Sequence, residues 1–92
     1  MDEYHRRFAN TAGAKLLRAF FAAQADGDGS WTQVGLSTVL GVHKNTVHFW
    51  TIGFRRPHSH DLRLALLRIA GIPTEAWMTR DEKVKAKRLR AA

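Results

Sequence analysis

The chain contains no cysteine, which excludes disulfides and thiolate metal centres and agrees with a reducing compartment. No apolar run approaches the roughly 20 residues that a membrane helix requires. The opening stretch MDEYHRRF lacks the apolar segment of a secretory signal, so a cytoplasmic protein is expected. Acids are scarce: 8 Asp and Glu face 15 Lys and Arg, leaving a net charge of +7 and a pI near 10.9. A balance that basic suits a polyanionic partner, with plain solubilising charge as the alternative. The alternating apolar pattern of strands is missing as well, and no internal repeat is present.

What remains is helical. The 92 residues suffice for one core, and a 45% hydrophobic content is that of a folded domain. From Asn10 to Gln24, Leu16, Leu17, Phe20 and Phe21 form an apolar stripe, with Asn10 or Thr11 as its cap. Gly13 weakens the first turn by about 1 kcal/mol relative to Ala. Turn residues follow from Ala25 to Ser30. A helix from about Ser59 to Ala70 buries Leu62, Leu66 and Ile69, and Gly71 ends it. Pro73 then opens a short helix in which Trp77 packs inward. Beyond it, Arg80 to Ala92 carries six Lys and Arg against two acids. The expected fold is all-α: a compact bundle of about five short helices over residues 1–78, followed by a basic tail over 79–92. That tail is a phosphate-binding arm, a dimer helix or a disordered end.

Thr32 to Pro57, TQVGLSTVLGVHKNTVHFWTIGFRRP, is the most informative stretch. Two short helices are joined by a turn at Gly41, the first carrying Leu36, Val39 and Leu40 on one face. Rotation of about 100° per residue separates the faces of the second, drawn over residues 44–51. With Lys44 at zero, Val47 and Trp50 fall at about 300° and 240°, whereas His48, Asn45 and Phe49 fall at about 40°, 100° and 140°. One face packs and the other is free to contact a ligand. That is the outline of a helix-turn-helix.

The string Thr32-Gln33, Leu36-Ser37, Leu40-Gly41-Val42, Thr46-Val47, Trp50, Gly53, Arg56-Pro57 resembles the Cro/phage-repressor (XRE-type) helix-turn-helix family. The likeness spans Trp31 to Pro57 and extends more loosely to Trp77. It implies a lambda-repressor-like fold, double-stranded DNA as partner, a homodimer, and transcriptional regulation of the repressor type. The alternative is a protein-interaction module, antitoxin-like or an adaptor, on the same fold. Lys44, Asn45, His48 and Phe49 match positions that commonly reach base edges. Lys suits guanine O6/N7, Asn pairs with adenine, and Phe49 meets a thymine methyl or a protein surface. Gln33, Thr46, Arg55 and Arg56 match phosphate contacts. The chain departs from the pattern at Ser37 (usually Ala), Gly35, His43 (usually a Ser or Thr cap) and Thr51 (usually Glu).

Two other sites are rejected. Asp26-Gly27-Asp28-Gly29-Ser30 echoes a calcium loop but lacks the closing bidentate Glu. His43, His48, His58 and His60 have no metal-ligand spacing. No nucleophile, base and orienting group can be assembled, so neither an enzyme nor a cofactor is expected.

Overall fold

Thr11, Thr32, Ser59 and Thr79 each turn a side-chain oxygen onto the backbone N–H three residues ahead, at Ala14, Gly35, Leu62 and Glu82. These caps satisfy amides that a helix start leaves without carbonyl partners. The computed structural model describes residues 7–26 and 31–91. It contains α1 (Ala12–Asp26), α2 (Gln33–Leu40), α3 (Thr46–Ile52), α4 (His60–Ala70) and α5 (Arg80–Ala91), with a 3-10 turn at Thr74–Trp77. The fold is all-α, with no strand among the described residues. No described helix is long and apolar enough to cross a membrane. Ala25 and Asp26, expected in a turn, belong to α1, which runs through Asp26. Residues 27–30, with most of the rejected calcium loop, and residues 1–6, with most of the signal reading, lie outside the described residues.

Leu17, Leu36, Val47, Trp50, Leu66, Ile72, Ala76 and Trp77 form the buried core, with Trp31 partly buried against it. Trp50 and Trp77 meet edge to face, their ring centroids 6.5 Å apart, a geometry that suits the quadrupoles of the two rings. α1 packs on α3 and on the 3-10 turn, α2 packs on α3, and α4 packs on the 3-10 turn. Gly13 lets α1 approach that closely: a Cβ there would overlap the Trp77 ring, with Cε2 at 2.9 Å.

Two stripe assignments change. Leu16 is 43% exposed, whereas Leu17 is fully buried. The two are about 100° apart on the helix, and the face shared with Gly13 and Ala14 is the one that meets the core. Val39 is 62% exposed. The seam of α2 is Leu36, Leu40 and the buried Ser37, which places Val39 beyond its edge.

The basic tail is a definite element. α5 is helical to Ala91, and none of its residues is buried. Thr79 and Glu82 start it by reciprocal bonds, Thr79 N donating to Glu82 Oε1 at 2.8 Å and Glu82 N donating to Thr79 Oγ1 at 3.3 Å. This capping box holds a helix that has no apolar stripe to bury.

Candidate nucleic-acid interface

The turn between α2 and α3 is held from both sides. Gly41 takes φ 71°, and Val42 N donates to Ser37 O at 3.0 Å to finish α2. The buried Ser37 hydroxyl reaches the Lys44 carbonyl at 3.4 Å, a role that alanine would not supply. His43 Nδ1 accepts from Asn45 N at 3.1 Å, and His43 O accepts from Thr46 N at 2.9 Å. The imidazole thus holds the turn that leads into α3 by accepting from Asn45 N–H.

This arrangement moves the start of α3. Lys44 and Asn45 were expected on the helix, but α3 begins at Thr46 and both residues occupy the preceding turn. Their side chains are exposed, as is His48, while Val47 and Trp50 are buried on the opposite side. Lys44, Asn45 and His48 are therefore all open to solvent. Phe49 is only half-exposed: its ring lies 5.3 Å from Phe54 and 6.3 Å from His48. Gln33, the first residue of α2, is half-buried, with no side-chain hydrogen bond among the described residues.

A cleft of about 760 Å³ runs along the flank of α3. It brings together Thr46, Arg55 and Arg56 with three basic residues that the sequence reading missed, Arg7, His58 and Arg63. Among the described residues, no carboxylate lines it. Arg55 lies over Phe54, 5.1 Å from the ring centroid. Arg63 donates from Nε to Pro57 O at 2.9 Å. Burial, then the charge of Arg56, pushes the Arg63 pKa down, so an anion here would relieve a crowded cation.

Arg56 differs from its sequence expectation. Its Nη1 donates to Trp77 O at 2.9 Å and to Glu82 Oε1, and Nη2 donates to Glu82 Oε2 at 2.7 Å. The hydrogen bond from Arg56 to Glu82 raises the Arg56 pKa. In return that bond, reinforced by those from Thr79 and opposed by burial, holds the Glu82 carboxyl at about 2. With these donors engaged inside the protein, Arg56 ties the loop after α3 to the start of α5 rather than standing open for a phosphate.

Arg7 enters the cleft because the N-terminal segment docks on the end of α3. Phe8 N donates to Gly53 O at 3.0 Å, and Arg18 bridges Thr51 O at 2.7 Å and Ala9 O at 3.1 Å. Gly53 takes φ 82°, and a Cβ there would collide with Ala9. The Arg7 and Arg56 guanidinium carbons lie 4.8 and 4.5 Å from the Phe8 ring centroid, within cation–π range. No sequence spacing links position 7 to position 56. Glu82, by contrast, was legible as the fourth residue of Thr79-Arg80-Asp81-Glu82. Comparison with protein-family models, curated proteins and solved structures finds no match.

Proposed function

We propose that the protein is a sequence-specific double-stranded-DNA-binding transcriptional regulator, a repressor of phage or prokaryotic type acting in the cytoplasm. The observation that carries the reading is the two-sided α3 region: Lys44, Asn45 and His48 open to solvent, Val47 and Trp50 closed into the core. Two short helices joined at a tight turn suit entry of α3 into a major groove. Lys44 and Asn45, at its leading end, read bases there, and His48 reads the next turn. Thr46, Arg55 and Gln33 hold phosphates, joined by Arg7 and Arg63, while Arg56 positions the loop. Phe49 braces His48 through its contact with Phe54.

One such module covers few base pairs, so a homodimer on an inverted repeat is the working form. Its half-site centres lie about 34 Å apart, one helical turn. Selection of bound duplexes from a random pool tests the reading. A palindromic consensus that survives excess random DNA supports it; equal competition by every duplex overturns it. The rival, a protein-interaction module on the same fold, draws on the exposed Val34 and Val39 of α2. A chain that binds a protein through this face and no duplex at low salt favours the rival.

A further inference from the structure

We propose that a second groove, between the starts of α1 and α5, seats DNA backbone and lengthens the phosphate track beyond the helix-turn-helix, a role that rests on the DNA-binding reading above. The groove measures about 390 Å³, and its charged lining is Arg7, Lys15, Arg80 and Lys83. Among the described residues, no carboxylate lines it.

All four cations are exposed, and the side chains of Lys15, Arg80 and Lys83 have no acidic partner among the described residues. The nearby acid that turns towards the protein, Glu82, is held by Arg56 and Thr79. The other acid of that first turn, Asp81, does not line the groove, which Arg80 and Lys83 do. Gathering four like charges around a concave surface raises their mutual repulsion, and a row of phosphates reverses that effect.

Arg7 lines this groove and the α3 cleft alike. The two are therefore successive parts of one basic surface, running from Thr46 and Arg55 past Arg7 to Lys83. A duplex backbone matches such a surface because its charges recur along the axis, about one every 1.7 Å with both strands counted. A single free phosphate would occupy only one part of it.

The test is the salt dependence of duplex binding by the full chain and by a Lys15→Ala/Arg80→Ala/Lys83→Ala variant. For each phosphate that the variant no longer meets, the slope of log affinity against log salt should flatten by about 0.9. The selected base consensus should stay the same. An unchanged slope beside intact wild-type binding overturns the second seat while leaving the DNA-binding reading in place. Failure of the wild-type chain to bind any duplex overturns that reading and the seat with it.

Lys83→Gln repeats the measurement with one change should the triple variant unfold early in a thermal melt. A short inorganic polyphosphate, followed by NMR shifts at Lys15 and Lys83, separates the sources of phosphate. Polyphosphate binding there with no change in the DNA salt slope assigns the groove to a free anion and overturns the proposal.

Discussion

Glu82 accepts hydrogen bonds from both terminal nitrogens of Arg56 while its Oε1 also accepts from the Thr79 amide that opens α5. One carboxylate therefore closes a helix cap and fixes that helix to the loop behind α3. Because its folded pKa is depressed to about 2 from 4.5, the pair contributes fully above pH 4.5 and is lost as pH falls towards 2. Glu82→Gln retains an acceptor for the Thr79 amide but removes the charge. At neutral pH it should cost about 1 kcal/mol, limited by the solvent that screens this partly exposed pair. Thermal melts should show a smaller loss of stability between pH 4.5 and 2 than in the wild type; parallel pH profiles would contradict the assignment.

Gly13→Ala tests the contact between α1 and Trp77. Helix propensity favours alanine by about 1 kcal/mol. The new methyl must displace the Trp77 ring in a filled core, at a cost of about 1–3 kcal/mol. We expect a lower melting temperature and altered tryptophan fluorescence. A variant more stable than the wild type would show that the ring moves aside freely.

His43→Ala removes the acceptor for Asn45 N–H. The expected cost is about 0.5–1.5 kcal/mol, that of one lost hydrogen bond. Amide exchange should quicken at Asn45 and Thr46. His43→Ser should restore most of the stability; protection unaltered by alanine would deny the imidazole its role in holding the turn.

Lys44→Ala and Asn45→Ala should each cost about 1–3 kcal/mol in duplex binding and relax preference at one base position. Arg55→Ala should weaken every sequence alike and flatten the salt slope by about one. Equal losses on selected and random duplexes for all three variants would refute the division between base and phosphate contacts.

Much of this architecture is readable from local rules. Ser59 and Gly71 bound α4, and the rotation of α3 separates Val47 and Trp50 from His48, because caps and helical period act within one or two turns. Leu16 and Val39 were misplaced because periodicity fixes an apolar arc but not its centre. The centre is set by the neighbour: Gly13 and Ala14 admit Trp77 on the Leu17 side, and Ser37 occupies the seam that Val39 was expected to fill. The tail stays open between an arm, a dimer helix and a disordered end on sequence because it has no apolar stripe, although Thr79-Arg80-Asp81-Glu82 carries a helix start signal. The cleft was less legible still. Arg7 reaches Arg56 and Arg63 only through tertiary docking of the N-terminal segment on Gly53.

The double engagement of Glu82 also bears on the charge that α5 presents. Its cap and its anchor share one carboxylate, so the six lysines and arginines are arrayed along a helix held at its root. A loose basic arm would surrender conformational freedom at the moment of association, lowering its affinity for a given number of charges. In the duplex-binding reading proposed above, that entropy is lost during folding and the charge pattern is preorganised.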